Sequence, residues 1–349
     1  MIVRIAIVND APEVVQFLRE IVAGIGDHDV AWVAGTGAEA VTKCAADTPD
    51  LILMDLGMPA MDGVEATRRI MAASPCPILI VPGPMDGNTR GIFEAMGHGA
   101  LDAVNTPAMG NDPAARESQQ ALIKRIETIR RLNVRPTVSR QVRRPAHTGG
   151  LPSLVVIGAS TGGPKALGTV MSGLPSDLQA GIIVVQHVGG EFSEGLAGWL
   201  DAQTGLNVRL AMDGARPALS TVLVAGSNDH LVLTPDLTLA YTTEPSDILF
   251  RPSVDVLFKS IAEHWPLNGI AILLTGMGRD GAQGLADLRW AGWYTIAQDE
   301  ATSVVYGMPR AARDLGAAVD ILSIDEIAPA IIRHLNRGNR RISGLSWEW

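Results

Sequence analysis

Apolar runs alternate with amphipathic stretches over the first third of the chain. Runs that predict buried strands lie at 5–8, 30–34, 51–54, 77–81 and 100–104. Between them, apolar residues three and four positions apart, such as Val14, Leu18 and Ile21, predict helices. Five such units favour an α/β fold, a flavodoxin-like (βα)5 doubly wound sheet. Asp112-Pro113 then offers a cap and a first-turn proline for a last helix.

This pattern stops after residue 132 and resumes at residue 151. Residues 133–150 are rich in arginine, proline and glycine, so we interpret them as a solvated linker. A second β–α series follows, with strands expected near 154, 182, 208, 222, 270 and 294 and a hairpin-like stretch over 230–240. The chain thus predicts one domain over 1–132 and a second, doubly wound and mostly parallel α/β domain over 151–345. We expect the helical pattern to end before Arg337, leaving a frayed terminus or, alternatively, a docking peptide.

Composition narrows the class of protein. Its 349 residues allow about two domains, and 47% hydrophobic against 4% aromatic residues favours aliphatic cores of the parallel α/β kind. The net charge of −9 argues against a nucleic-acid binder. With two cysteines, no secretory signal after Met1 and no apolar run long enough to span a bilayer, we expect a cytoplasmic protein without disulfides or direct membrane insertion.

Three polar side chains follow apolar runs of the second series. Ser160 stands in Gly158-Ala-Ser-Thr-Gly-Gly163 at a strand-to-helix turn, and His187 and Asp280 follow two later runs. Because neighbouring parallel strands end at one edge of a sheet, these residues are predicted to form a nucleophile, a base and an orienting carboxylate. Their order along the chain differs from that of α/β-hydrolases, so the G-x-S-x-G match indicates convergent roles.

A glycine-rich turn of this kind more often binds a phosphate or packs tightly than carries a catalytic serine. The resulting alternative is a dinucleotide-binding oxidoreductase. Ser160 occupies the middle glycine position of that fingerprint, and Ala180 stands about 20 residues on, where the fingerprint requires an acid.

Two acids end strands of the first domain. Asp10 follows the first strand and Asp55 the third, so their carboxylates are expected to converge. Convergent carboxylates suggest a Mg²⁺ site at which Asp55 accepts a phosphoryl group. The alternative is that both acids cap the following helices. Spacing alone does not decide between them.

Longer motifs resemble known families. Asp55-x-x-Met-Pro-x-Met-Asp-Gly63 resembles the phosphoacceptor segment of bacterial two-component receiver domains. The second domain resembles the chemotaxis protein-glutamate methylesterases of the CheB family in four segments: 158–163, 185–187, 275–282 and 297–309. Phrases at 51–55, 94–101 and 105–107 look closest to the Wsp-type members, which serve surface-sensing pathways.

The resemblance implies an activity and a regulator. It implies hydrolysis of glutamate γ-methyl esters on methyl-accepting chemoreceptors, with receptor glutamine deamidation as a second reaction and no cofactor for either. Backbone N–H groups of Thr161 and Met277 become the oxyanion candidates. In the receiver it implies phosphorylation of Asp55 by a chemosensory sensor histidine kinase, with Mg²⁺ at Asp10, Asp55 and Gly57. His230 matches a frequent family histidine, but we interpret it as a hydrogen-bonded loop residue.

Departures from the receiver pattern weaken the expected switch. Thr106 replaces the usual lysine before Pro107, Pro82 follows Val81 where a hydroxyl residue is usual, and Asn9 replaces one acid. We therefore predict poor phosphorylation and weak signalling. In the second domain, Val188-Gly-Gly replaces the usual Met-Pro after His187. The alternative function is a weakly active binding module that docks on a receptor or kinase.

Overall fold

The computed structural model describes residues 3–26, 28–83, 89–110, 112–130, 151–248 and 250–342. The chain divides into two compact units, 1–135 and 136–349. The predicted linker, Pro84 and residues 343–349 of the predicted tail lie outside the described residues. None of the helices within the described ranges has the length and apolar character needed to cross a bilayer.

Unit 1 is a five-stranded parallel sheet in the order β2-β1-β3-β4-β5. Its elements in chain order are β1 (Val3–Val8), α1 (Pro12–Gly24), β2 (His28–Ala34), α2 (Gly37–Ala46), β3 (Leu51–Met54), α3 (Gly63–Ala73), β4 (Ile78–Ile80), α4 (Thr89–His98), β5 (Asp102–Ala103) and α5 (Pro113–Arg130). The predicted doubly wound architecture is confirmed, as is the start of α5, where Asp112 Oδ1 accepts a 2.9 Å bond from Ala115 N–H.

The central strands of unit 1 are apolar, apart from Arg4 at the start of β1, because helices cover both faces of the sheet. Every residue of β3 is buried, and Ile5 and Ile7 of β1 are fully inaccessible. The direction of winding reverses between β1 and β3, so their carboxyl ends flank the crevice in which such sheets place their sites. Asn9, Asp10 and Asp55 follow these two strands.

Unit 2 is a seven-stranded parallel sheet in the order β14-β13-β12-β6-β7-β9-β8, with a separate antiparallel hairpin of β10 and β11. Its strands are β6 (Ser153–Ala159), β7 (Ala180–Gln186), β8 (Asn207–Leu210), β9 (Thr221–Val224), β10 (His230–Leu233), β11 (Leu239–Thr242), β12 (Ile270–Leu273), β13 (Tyr294–Gln298) and β14 (Asp320–Leu322). Its helices are α6 (Gly163–Ser172), α7 (Gly190–Gln203), α8 (Val254–His264), α9 (Ala282–Trp290), α10 (Met308–Asp314) and α11 (Ile324–Ile342).

The predicted strands and hairpin of unit 2 are confirmed, with two differences. The edge strand β14 was not predicted, because it has three residues and Asp320 and Ile321 are exposed, leaving no apolar run to detect. Helix α11 continues to Ile342, so the prediction that helix ends before Arg337 was wrong. Strand β6 lies between β12 and β7, where the winding reverses, so the carboxyl ends of these three strands define the crevice of unit 2.

Candidate active site

Ser160 directly follows β6, and three hydrogen bonds to its backbone fix its position. Its N–H donates to the Thr275 carbonyl at 3.0 Å, and its own carbonyl accepts from Gly163 N–H at 2.7 Å and from Gln186 Nε2 at 2.9 Å. Gly162, with φ of 76°, supplies the left-handed residue that starts α6. The tight turn predicted around the serine is therefore present, and Ser160 is 95% buried, with only 5% of its surface exposed.

His187 leaves the neighbouring strand at the same level. Ala159 of β6 is paired with Gln186 of β7, and His187 N–H donates to the Ala159 carbonyl at 3.0 Å. The unusual Val188-Gly-Gly segment leads directly into α7, where Gly190 N–H donates to Asn228 Oδ1 at 2.8 Å. The structure therefore places the predicted nucleophile and base on adjacent strand ends.

Asp280 holds the imidazole of His187 through one nitrogen. His187 Nε2 lies 2.7 Å from Asp280 Oδ2, and the two side chains are 6% and 7% exposed. An ionised carboxylate accepts only, so Nε2 carries the proton and Nδ1 is the free base. Nδ1 is buried and has no hydrogen-bond partner within the described part of the chain. It is the nitrogen available to a serine hydroxyl, although no Ser160 hydroxyl bond to it is formed here.

The start of α8 binds the carboxylate of Asp280. Ser253 Oγ donates to Oδ1 at 2.7 Å, Val254 N–H donates to Oδ2 at 2.7 Å, and Asp255 N–H donates to Oδ1 at 3.2 Å. The positive end of a helix dipole faces the same group. Burial works against ionisation of Asp280, but the hydrogen bonds from His187, Ser253 and Val254 outweigh it and hold its pKa below the ordinary value.

Sequence reasoning missed the role of Ser253. Its hydroxyl caps α8 by accepting from Val256 N–H at 3.3 Å while it donates to Asp280. A serine before an apolar helical pattern is a detectable N-cap signal, but its contact with Asp280 is tertiary and leaves no trace in the sequence.

His230 is a hydrogen-bonded structural residue, as interpreted, although it begins β10 rather than lying in a loop. Its Nδ1 accepts from Ser253 N–H at 3.1 Å and its Nε2 donates to the Pro245 carbonyl at 3.2 Å. The ring is fully buried, and its bond to Ser253 N–H fixes the start of α8.

An aromatic side chain covers the imidazole. The ring of Phe250 stacks on that of His187 with centroids 4.6 Å apart and planes 3° from parallel. Phe250 is 41% exposed, whereas the His187 side chain is buried. No sequence signal connects the two residues, which are 63 positions apart in different elements.

The oxyanion candidates lie beside Ser160. A side-chain carbon at Gly276 would come within 2.7 Å of Ser160 Cβ, so the 275–277 loop touches the serine and Met277 follows at once. Thr275 Oγ1 ties this loop to the serine turn by donating to the Thr161 carbonyl at 2.9 Å. Within the described residues, neither Thr161 N–H nor Met277 N–H donates to another group of the protein. Both donors are therefore free to bind a substrate oxygen.

The acids of unit 1 do not cap the helices that follow them. The N-cap of α1 is Ala11, without a side-chain bond, and that of α3 is Asp62. The alternative that Asp10 and Asp55 serve as helix caps is therefore wrong.

Asp55 is buried and surrounded by donors. Its Oδ2 accepts from Asn9 Nδ2 at 2.9 Å, and its Oδ1 accepts from the N–H groups of Leu56 at 2.7 Å, Gly83 at 3.1 Å and Gly57 at 3.4 Å. At the position where receivers carry a lysine, Thr106 donates its hydroxyl to the Pro82 carbonyl at 2.7 Å.

The predicted Mg²⁺ ligands are chemically suitable but few. Asp10 is exposed, and Asp55 and the Gly57 carbonyl are oxygen donors of the kind that Mg²⁺ prefers. Asn9 binds with both ends of its amide, to Asp55 and to Ala11 N–H at 2.8 Å, and adds no negative charge. Across the described ranges, no three His, Cys, Asp or Glu side chains cluster as a metal site.

Two family models match separate parts of the chain. Residues 155–331 match the family model of the CheB methylesterase, and residues 5–112 match that of the response regulator receiver domain. The crystal structure of the Thermotoga maritima CheB methylesterase catalytic domain superposes with a TM-score of 0.51 at 34% identity, covering 52% of this chain and 98% of that domain.

Two full-length relatives extend the match. Protein-glutamate methylesterase/protein-glutamine glutaminase 3 of Burkholderia orbicola is 51% identical over 331 residues, which cover 95% of this chain and 98% of that protein. The corresponding protein 3 of Pseudomonas aeruginosa is 50% identical over 333 residues, covering 94% and 98%. Because the match extends over almost the whole of both proteins and includes the domain that carries Ser160, His187 and Asp280, this chain belongs to the CheB methylesterase family and carries a receiver domain at its N-terminal end.

Proposed function

We propose that this protein hydrolyses glutamate γ-methyl esters on methyl-accepting chemoreceptors and deamidates receptor glutamines, through an acyl-enzyme on Ser160. The observation that carries the proposal is the His187–Asp280 pair. Its geometry leaves the buried Nδ1 of His187 as an unpartnered base one strand away from the serine. The names of the relatives, protein-glutamate methylesterase/protein-glutamine glutaminase, describe the same two reactions.

Acylation begins when Ser160 Oγ attacks the ester carbonyl carbon and His187 Nδ1 takes the hydroxyl proton. The N–H groups of Thr161 and Met277 bind the oxyanion of the tetrahedral intermediate. The C–O bond to the methoxy group then breaks, and the proton on Nδ1 passes to the leaving oxygen, which departs as methanol. Throughout, Asp280 keeps the proton of Nε2 in place and stabilises the imidazolium.

Deacylation repeats these roles with water as nucleophile. Nδ1 takes a proton from water, the resulting oxygen attacks the acyl carbon, and the proton returns to Ser160 Oγ as the free glutamate leaves. A glutamine side chain follows the same course with ammonia as leaving group. No step draws on a metal or organic cofactor.

The receiver and its partners complete the proposal. The substrate segment lies in the cytoplasmic part of a receptor, and Asp55 accepts phosphate from a chemosensory sensor histidine kinase. Mg²⁺ held by Asp10, Asp55 and the Gly57 carbonyl would neutralise the phosphoryl group. The Wsp-type resemblance favours a receptor of a surface-sensing pathway. With these partners we expect the protein to act in the cytoplasm.

The test uses chemoreceptor cytoplasmic fragments carrying either methyl-esterified glutamates or glutamines. We expect methanol from the first and ammonia from the second, with mass spectrometry showing free glutamate at the modified positions. A folded protein that binds the fragments but releases neither product would favour a binding module without esterase activity.

A further inference from the structure

We propose that Phe250 is a positioning residue for the base, because its ring sets the plane of the His187 imidazole and stabilises the imidazolium formed during acyl transfer. The inference rests on the proposed function. It begins from the parallel stack, in which the ring centroids are 4.6 Å apart and the planes differ by 3°.

The imidazole needs a second constraint. Its single hydrogen bond joins Nε2 to Asp280, and Nδ1 has no partner among the residues described. One bond fixes a point on the ring but not the rotation of the ring about that bond. A flat surface against the ring face removes this freedom, so the stack with Phe250 determines the direction in which Nδ1 presents its lone pair.

Phe250 is itself anchored to the carboxylate that holds the histidine. Three residues further on, Ser253 donates from Oγ to Asp280 and from its N–H to His230 Nδ1. On the other side, His230 Nε2 holds the Pro245 carbonyl, and Arg251 Nη2 donates to the Ser246 carbonyl at 2.7 Å. Hydrogen bonds therefore hold residues on both sides of Phe250, and one of these residues, Ser253, binds the carboxylate that holds His187.

Charge explains why an aromatic ring suits this position. His187 gains a proton when Ser160 attacks, and the face of a benzene ring carries partial negative charge. A ring centroid 4.6 Å from the imidazolium lies within the distance at which this attraction operates. An aliphatic side chain of similar size would exclude water equally but would lack the attraction.

In the stack, Phe250 lies on the solvent side of the His187 ring. Phe250 is 41% exposed, while the His187 side chain is 6% exposed. Substitution of Phe250 therefore disturbs little of the core, and a loss of activity in such a variant is separable from unfolding.

The experiment compares Phe250→Leu, Phe250→Tyr and a control, Trp290→Leu, in the full-length protein. Trp290 is 90% exposed at the end of α9 and stacks on no catalytic group. With methyl-esterified receptor fragments we expect Phe250→Leu to lower kcat about tenfold with KM within about twofold, since the lost attraction acts after binding. Phe250→Tyr, which keeps the ring, should remain within about threefold of wild type, and Trp290→Leu should be unchanged.

Two readouts do not require the receptor. The C–H protons of the His187 ring should show an upfield ring-current shift in wild type that disappears in Phe250→Leu. A fluorophosphonate should label Ser160, forming the P–O bond and releasing fluoride while His187 accepts the proton, about tenfold more slowly in Phe250→Leu. If wild type is labelled but releases no methanol, the proposed function is wrong. The labelling rates of the variants then still test the role of Phe250. Unchanged kcat and labelling in Phe250→Leu, or a rise in KM with constant kcat, would overturn the inference.

Discussion

The hydroxyl of Ser253 donates a 2.7 Å hydrogen bond to Oδ1 of Asp280, the carboxylate whose other oxygen lies 2.7 Å from His187 Nε2. The same hydroxyl oxygen accepts from Val256 N–H in the first turn of α8. One fully buried side chain thus binds both the start of a helix and the carboxylate that holds His187.

Ser253→Ala should reduce both activity and stability. Asp280 loses one hydrogen bond to a charged oxygen, which predicts about a tenfold fall in kcat, and α8 loses its cap, which predicts a loss of about 1 kcal/mol in the free energy of unfolding. Methanol release and urea unfolding measure the two effects. Ser323→Ala is the matched control, because Ser323 Oγ also donates to a carboxylate, that of Glu326, at a helix start away from the site. Equal activities of the two variants would contradict the role of Ser253.

Asp280→Asn should be more severe. An asparagine amide that keeps its oxygen at the Oδ1 position, on Ser253 and Asp255, places its NH₂ group at the Oδ2 position. This group then faces His187 Nε2, which loses its acceptor and favours the other tautomer. We expect kcat to fall by about 10³ to 10⁴. The control is Asp287→Asn. Asp287 lies in the following helix, where its carboxylate accepts a hydrogen bond from Gln283 Nε2. A loss of less than about tenfold would show that the carboxylate does not orient the base.

Acid should remove the stabilisation that Asp280 provides. Its pKa in the folded protein is below the ordinary value, so the ionised carboxylate stabilises the fold above about pH 4, and the contribution disappears as pH falls through the lower folded value. The difference in free energy of unfolding between wild type and Asp280→Asn should therefore shrink as the pH is lowered. Urea titrations followed by tryptophan fluorescence measure it. A difference independent of pH would contradict the conclusion that folding lowers the pKa of Asp280.

Gly276 should tolerate no side chain. A Cβ at this position would lie 2.7 Å from Ser160 Cβ and would also meet Met308 Sδ. Gly276→Ala is therefore expected to displace the serine turn or the 275–277 loop and to abolish methanol release. Gly198→Ala is the control, because a Cβ there meets nothing within 4 Å and lies inside α7, so that variant should be active and more stable by about 0.5–1 kcal/mol. An active Gly276→Ala variant would show that this close contact is not required.

The apolar pattern and the strand-end polar residues were enough to predict both sheets and the placement of Ser160, His187 and Asp280 at one sheet edge. Ser160, His187 and Asp280 could be found because each follows an apolar run, and parallel strands bring such positions to one edge. Ser253 and Phe250 could not, since their partners lie 27 and 63 residues away and only folding brings them together. Which nitrogen of His187 acts as base also depends on three-dimensional placement, because the sequence carries no information on ring orientation.

The receiver should bind a phosphate analogue weakly. Asp55 has backbone and amide donors around it, but position 106 offers a hydroxyl already bonded to Pro82 instead of an ammonium. We expect weak, Mg²⁺-dependent beryllofluoride binding that a chelator abolishes. Pro82→Ser combined with Thr106→Lys should strengthen it by about tenfold or more, since each restored charge-assisted bond contributes about 1.5–3 kcal/mol.

Thr106→Val is the matched control for the receiver, because it removes the same hydroxyl without supplying an ammonium. Its beryllofluoride affinity should stay weak. Tight binding by wild type, with strong activation of the esterase, would show that other residues supply the missing contacts.

The most direct test of the account is the rate of methanol release from methyl-esterified receptor fragments by wild type and Ser160→Ala at equal concentrations of folded protein. The account makes Ser160 the nucleophile and His187 Nδ1 its base, so the alanine variant should lose at least about 10⁴-fold in rate while its unfolding transition stays close to that of wild type. A folded Ser160→Ala protein that released methanol at a near-normal rate would contradict the serine mechanism.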